Sequence, residues 1–212
     1  MTGEQAPPRE RVAAVVLAAG QSRRMGQPKP FLPFAGATFI EAILDRLREA
    51  DLGQVIVIAN PGHVARHEAL PRPPDLVVAN PRPGDGMLAS LRLGIEHLDP
   101  RATHLLLTLG DMPAIRASTH AALADAALAR PGRICVAEHR GKRGHPVVFP
   151  GEHFAGLAAW EGEGGARSYL RAHAAEVDRI AVDDPGIRVD ADRPADLEAL
   201  RQLEPGAPRS QR

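Results

Sequence analysis

Residues 17–29 read LAAGQSRRMGQPK, and Gly20, Arg23, Arg24, Gly26 and Lys29 all fall within the eleven residues that start at Ala19. Glycines let a backbone turn sharply and come close to a ligand. Successive backbone N–H groups in such a turn can cradle phosphate oxygens. An arginine can grip two oxygens at once and Lys29 adds a point charge, so the segment has the chemistry to offset a triphosphate. The spacing is neither G-x-x-x-x-G-K-[ST] nor G-x-G-x-x-G, which argues against a P-loop and against a dinucleotide dehydrogenase. Taken alone, the same residues would also suit a basic surface turn. Asp111, in TLGDMP, is the second candidate, because a carboxylate after a strand can hold Mg²⁺ against phosphates. In isolation it would serve equally as a helix cap. A later acidic run, VDADRPADL at 189–197, supplies Asp190, Asp192 and Asp196.

These residues need a scaffold, and the apolar pattern provides one. Residues 12–17 (VAAVVL) form a continuous apolar run, as expected for a strand covered on both faces. Runs at 55–59 (VIVIA), 76–79 (LVVA) and 103–109 (THLLLTL) repeat the signal. Between them lie helical patterns. Thr38 can cap a helix through about residue 50, with Ile40, Ile43, Leu44 and Leu47 on one stripe. Shorter or weaker patterns cover 63–70, 87–98 (Leu88, Leu91, Ile95 and Leu98 inward) and 118–129. Strands alternating with helices in this way imply a parallel sheet with right-handed crossovers. Ligands in such sheets bind beyond the carboxyl ends of strands, where residues 17–29 and Asp111 both fall.

The pattern changes after residue 130. Strands at 133–137 and 146–149 are joined by the polar stretch EHRGKRGH, which predicts an antiparallel excursion with a solvated tip. Helical patterns follow at 151–160 and 165–175, then a strand at 177–182 and a helix at 194–203, with Pro194 in its first turn behind Asp192 as cap. One domain is expected over 11–203, flanked by flexible tails at 1–10 and 204–212.

Composition narrows the classes further. Apolar residues make up 44%, aromatics only 3%, and 26 basic residues balance 26 acidic ones. A neutral total gives no electrostatic reason for bulk binding to nucleic acid or to an anionic membrane. The single cysteine, Cys135, cannot form an internal disulfide and is expected to be a buried strand residue. His63 and His67 lie four apart, but with no third ligand they are not taken as a metal site. No signal-peptide h-region and no bilayer-length apolar run is present, so a cytoplasmic protein is expected.

The loop LAAGQSRRMGQPK resembles the signature L-A-A-G-x-[GS]-x-R-M-G-x-x-K of the MobA-like NTP transferase superfamily. That resemblance implies an α/β, Rossmann-like GT-A type nucleotidyltransferase fold: a mostly parallel central sheet flanked by helices, with a small antiparallel excursion. It also implies transfer of a nucleoside monophosphate from an NTP to a phosphate acceptor, with release of pyrophosphate. By the match, Leu17, Ala18, Ala19 and Gly20 line the base and ribose, and Met25 and Gly26 belong to the same nucleotide loop. Arg24 and Lys29 meet the phosphates and act in catalysis with Asp111. GDMP resembles the family's magnesium-binding motif, which makes Asp111 a metal position beside Gly110 and Mg²⁺ the implied cofactor. VDADRPADL resembles D-x-D-T-P-x-D-L, with Arg193 in place of Thr, and makes Asp190 the second metal ligand. Asn60, Asn80 and Ser90 are further implied nucleotide contacts.

Three segments resemble the superfamily's molybdenum-cofactor cytidylyltransferases. The loop opens L-A-A-G, where the guanylyl branch more often has L-A-G-G. Asn80-Pro81 followed by Gly86-Met87 to Ser90-Leu91 matches N-P-x(n)-G-M-x-x-S-L. Gly144 to Phe149 and the run ending Gly165-Ala166-Arg167 match G-[HN]-P-V-x-F and G-x-x-G-A-R. The resemblance covers about 12–203. It implies CTP as donor, the terminal phosphate of molybdopterin as acceptor, and His145 and Arg167 as acceptor contacts, although His145 reads equally as a loop histidine before a strand; the stretch EHRGKRGH, most simply a solvated tip, has a position that also fits a grip on the acceptor phosphate. A molybdoenzyme or its maturation factor would be the partner. The alternatives are the guanylyltransferase of the same pathway, or a cytidylyl- or uridylyltransferase for another phosphorylated small molecule. A non-catalytic module that hands over cofactor is more distant, since a carrier has no use for both Lys29 and Asp111.

Overall fold

The computed structural model describes residues 8–20, 26–191 and 196–203. In chain order the elements are β1 (Val12–Ala18), β2 (Pro33–Phe34), β3 (Ala37–Thr38), α1 (Phe39–Glu49), β4 (Val55–Ala59), α2 (Val64–Glu68), β5 (Leu76–Ala79), α3 (Met87–Glu96), β6 (His104–Leu109) and α4 (Ala117–Leu128). There follow β7 (Ile134–His139), β8 (Lys142–Pro150), α5 (Phe154–Ala159), α6 (Ala166–Ala172), β9 (Val177–Ala181) and α7 (Asp196–Arg201). The main sheet has the order β5-β4-β1-β6-β8-β7-β9. Its pairs are parallel except β6·β8 and β7·β8, so β8 alone among these strands runs against its neighbours. This is the α/β architecture expected from the alternating pattern, with one antiparallel insertion.

The sheet is covered on both faces, which is why β1 reads as an unbroken apolar run. Val12, Ala14 and Val16 pack with Ile40, Ile43, Leu44 and Leu47 of α1 and with Leu123 and Ala127 of α4. Val15 points to the other layer, with Leu91 of α3, Leu157 of α5 and Tyr169 of α6. Helix α1 starts where Thr38 predicts. The Thr38 Oγ1 accepts from Glu41 N, and the Glu41 carboxylate accepts from Thr38 N at 2.8 Å, closing a capping box. Thr38→Ala should therefore cost about 1 kcal/mol in urea unfolding.

Several boundaries differ from the sequence expectation. The stretch EHRGKRGH is mostly strand: β7 runs to His139, β8 begins at Lys142, and only Arg140-Gly141 turn, both with positive φ. Cross-strand pairing of Glu138 with Arg143 and of His139 with Lys142 overrides its polar composition. The inward face of α3 is Ser90, Leu91 and Gly94, while Leu88, Ile95 and Leu98 are half-buried. Gly94 sets this rotation: a Cβ there would lie 2.6 Å from Val15 Cγ1, so the helix sits closer to β1 than a larger residue allows. The expected N-terminal tail gives up its last residues to a 3-10 turn, Pro8–Arg11, held by two 2.6 Å bonds from Arg9 to Asp125. Helix α7 starts at Asp196, and the expected cap Asp192 and first-turn Pro194 lie outside the described residues.

Two histidines are sealed in the core. His67 is 0% and His120 1% exposed. Burial, reinforced by His63 and Arg66, lowers the His67 pKa to about 4. Burial and then Arg46 lower that of His120 to about 3. Both are neutral when folded, whereas the unfolded chain protonates them near pH 6.5. Their contribution is complete above that pH and is lost as pH falls towards 4, at up to about 1.4 kcal/mol per pH unit for each. Urea midpoints should drop accordingly between pH 6.5 and 4, and His120→Leu should flatten that slope. Cys135 is also fully buried, and burial pushes its thiol up to about 11, in keeping with a structural role.

Candidate active site

The carboxyl ends of β1 and β6 lie side by side, and Gly110 fixes how closely. Its N–H donates to the Leu17 carbonyl at 2.9 Å, and a Cβ at Gly110 would stand 2.9 Å from Ala18 Cβ. Asp111 therefore emerges against the start of the glycine-rich loop. On the far side of that loop, Lys29 opens a 3-10 turn, Lys29–Phe31. Phe31 anchors the turn to α2, with the Arg66 guanidinium 3.7 Å above its ring centre and the His67 ring 4.8 Å away. The two candidates meet: Lys29 Nζ donates to Asp111 Oδ2 at 3.0 Å. Gly26 has φ +70, the left-handed conformation that glycine tolerates. Arg23, Arg24 and Met25 lie outside the described residues.

The acidic run reaches the same place. Ala191 N donates to the Asp111 carbonyl at 3.2 Å, which sets the backbone beside Asp190 against Asp111. This alignment rests on Asp184, which no sequence signal singled out. Asp184 is 2% exposed and accepts from Arg116 N at 2.8 Å, Thr119 Oγ1 at 2.7 Å and Gly186 N at 2.9 Å. It ties the start of α4 to the turn Pro185–Arg188, which leads directly into Asp190. Among the described residues no group of three or more His, Cys, Asp or Glu converges as a metal cage. Two carboxylates nevertheless suit Mg²⁺, which is commonly held by one or two of them together with substrate phosphates.

Next to this pair opens a cavity of about 530 Å³. Its floor is apolar, including Leu17, Leu107, Leu109, Val147 and Phe149, and its walls carry His145, Lys142, Arg143, Arg167, Arg171 and Arg188, with no Asp or Glu among the described residues that line it. The structure thus brings His145 and Arg167 together in one lining, with Lys142, Arg143, Arg171 and Arg188 beside them. Lys142 and Arg143 belong to the stretch whose composition reads as a solvated tip and whose position fits a phosphate grip; both are exposed, and both line the cavity. No motif in the sequence marks Arg171 or Arg188. Arg171 follows Arg167 by four on α6, a same-face spacing that could have flagged it. His145 belongs to β8 rather than to a loop, with Nδ1 3.5 Å from the Leu107 carbonyl. Burial lowers its pKa, the Leu107 carbonyl and Asp111 oppose that shift, and Arg167 adds to it. Gly144 is required there, because a Cβ would run into the Ile187 carbonyl.

The remaining nucleotide candidates sit at neighbouring strand ends. Asn80 is 2% exposed; its Nδ2 donates to Ser90 Oγ at 2.9 Å and its Oδ1 accepts from Arg82 N at 2.8 Å. Asn80 and Ser90 thus hold each other and join the end of β5 to α3. Asn60 Oδ1 accepts from Gly62 N at 3.0 Å and caps the turn after β4. Leu17 borders the basic cavity, Ala18 and Ala19 are buried, and Gly20 is exposed.

With this geometry in place, comparison with known proteins gives a consistent picture. The sequence model of the MobA-like NTP transferase domain matches residues 14–177. The chain belongs to this family. The transferase is 32% identical over 149 residues to the molybdenum cofactor guanylyltransferase of Rhizobium meliloti, covering 69% of this chain and 67% of that protein. It is 35% identical over 88 residues to a probable molybdenum cofactor guanylyltransferase of Bacillus cytotoxicus, covering 42% of this chain and 44% of that protein, so it spans less than half of that relative's length. Among solved structures, the transferase superposes on Rv0371c of Mycobacterium tuberculosis H37Rv with TM-score 0.79 and 32% identity, over 90% of this chain and 97% of that one. Rv0371c has also been solved in complex with manganese, and that chain matches with TM-score 0.75 and 31% identity, over 90% and 97%. No helix among the described residues is long and apolar enough to cross a membrane.

Proposed function

We propose that the protein is a cytoplasmic nucleotidyltransferase that moves CMP from CTP to the terminal phosphate of molybdopterin and releases pyrophosphate. The observation that carries this reading is the Lys29–Asp111 pair beside a cavity that combines an apolar floor with five Lys and Arg side chains. Such a cavity suits an acceptor with a hydrophobic body and a phosphate. An acceptor phosphate oxygen attacks the α-phosphorus in line, the bond to the β-phosphate breaks, and pyrophosphate leaves on the Lys29 side. Arg167 and its neighbours hold the acceptor phosphate, and His145, whose pKa burial lowers, lines the path between acceptor and donor. No protein nucleophile is needed, so positioning and charge supply the rate enhancement. A bound Mg²⁺, with Asp111 and Asp190 as its protein ligands, would supply charge neutralisation at the triphosphate. The manganese complex of the Mycobacterium tuberculosis relative supports a divalent site of this kind.

The choice of CTP rests on the L-A-A-G loop and the segments at 80–91, 144–149 and 164–167. GTP is the second reading, because the Rhizobium and Bacillus relatives are named as guanylyltransferases. Pyrophosphate release measured with each NTP, Mg²⁺ and the molybdenum-loaded pterin decides between them. Turnover with CTP supports the proposal, turnover with GTP alone moves it to the guanylyl reading, and no turnover with any NTP removes it. In the same assay Arg167→Ala should raise the acceptor KM by about 10-fold or more, the value of a charge-assisted hydrogen bond, with the NTP KM little changed.

A further inference from the structure

The carboxylate expected to hold the cation is already engaged. Asp111 Oδ2 lies 3.0 Å from Lys29 Nζ, and their side chains are only 23% and 16% exposed. Magnesium requires a near-octahedral oxygen shell at about 2.1 Å and gives up its ligands reluctantly. A dication on Asp111 and an ammonium in contact with the same oxygen would stand a few ångströms apart, where their repulsion is only partly screened. The two cations therefore exclude each other at this carboxylate.

Both backbones are fixed, so neither can drift to relieve the conflict. Lys29 leads a turn anchored through Phe31 against Arg66 and His67. Asp111 is held through Gly110 N to Leu17 and through its own carbonyl to Ala191. Relief would come from the Lys29 side chain, a compact ammonium on a flexible four-carbon stem that can swing. A triphosphate gives it a reason to do so, because phosphate oxygens offer an ammonium stronger charge-assisted bonds than one carboxylate does. We propose, resting on the nucleotidyl-transfer reading above, that Lys29 is a latch on Asp111. It keeps divalent cations off the carboxylate until a nucleotide triphosphate draws the ammonium away, so that metal and nucleotide load together.

Water-proton relaxation with Mn²⁺ as probe tests this without turnover, using the full chain and no acceptor. Wild type with Mn²⁺ alone should show little enhancement, and adding CTP or GTP should produce it. Lys29→Gln should bind Mn²⁺ alone about 10-fold more tightly than wild type, a difference of about 1.4 kcal/mol. Lys29→Arg, which keeps a cation at the position, should stay near wild type, as should Arg101→Gln, a control for general loss of positive charge at an exposed position before β6. Adding Asp111→Asn to Lys29→Gln should abolish the gain. Circular dichroism checks the fold of each variant, and Lys29→Met replaces Lys29→Gln should that one not fold. Wild type binding Mn²⁺ alone as tightly as Lys29→Gln would overturn the latch while leaving the transfer reading intact. Tight Mn²⁺ binding by Lys29→Gln together with no pyrophosphate released by wild type from any NTP would leave the latch and remove the transfer reading. Absence of Mn²⁺ binding in every protein, with or without nucleotide, would overturn both.

Discussion

Asp111→Asn is expected to lower kcat for pyrophosphate release by about 10²–10³-fold, the usual loss when one preorganised electrostatic group is removed from a site. Asparagine keeps the size of the side chain and an oxygen facing Lys29, so the site should stay assembled. The lost charge is what matters. The pair with Lys29 is partly exposed, and its removal should change stability by no more than about 1 kcal/mol. Steady-state kinetics beside a thermal melt separates the two effects: a deep loss of kcat with a nearly unchanged melting temperature. A variant retaining a tenth or more of wild-type activity would take Asp111 out of the reaction and return it to the bland role of a turn residue.

Asp184→Ala should have the largest effect on stability of any single polar substitution near the site, about 3–5 kcal/mol in urea unfolding. Its carboxylate accepts from three donors and is 2% exposed, so alanine strands Arg116 N, Thr119 Oγ1 and Gly186 N without an acceptor. Water cannot easily replace it, because Gly186 packs against the Ala114 carbonyl so closely that even a Cβ would meet it at 2.5 Å. Asp184→Asn should fall between the two, since an amide oxygen can still accept but its NH₂ must face a donor. The same substitutions should weaken acceptor use, because the turn they loosen carries Arg188 into the basic cavity. A loss below about 1 kcal/mol would mean that the segment 184–191 is held by something other than this carboxylate.

The parts of this molecule that were legible in the sequence are those where one physical signal dominates. β1 and β4 are buried on both faces, and an unbroken aliphatic run has no other stable placement. Thr38 and Glu41 spell a capping box three residues apart. Lys29 and Asp111 were chosen for charge and position at strand ends, and they do meet across 82 residues of sequence. What was missed depends on tertiary context. Lys142 and Arg143 read as a solvated tip and are exposed; that they also line the cavity follows only from their pairing with β7. Gly94 looks like a weak point in a helix until Val15 is found beneath it. Asp184 looks like the start of an ordinary turn, because nothing local reveals that Arg116 N and Thr119 Oγ1, 68 and 65 residues away, also donate to it. Asn80 and Ser90 were both chosen for the nucleotide, but the structure turns them towards each other.

Because β8 runs against its neighbours, its opening residues, not its last, lie on the edge of the sheet where β1 and β6 come to an end. The proposed triphosphate grip, at Lys29 and Asp111, follows chain leaving the sheet, whereas Lys142, Arg143 and His145 of the cavity wall lie on chain entering it. These two parts answer to different constraints. Residues 105–107 and 147–149 are paired strand to strand and fix the frame, whereas the hairpin tip at Arg140-Gly141 is a turn that can lengthen or change without disturbing it. A lineage can therefore exchange one half of its recognition and keep the other. Grafting a relative's hairpin tip onto this chain should retune what the cavity admits while leaving the donor loop as it is.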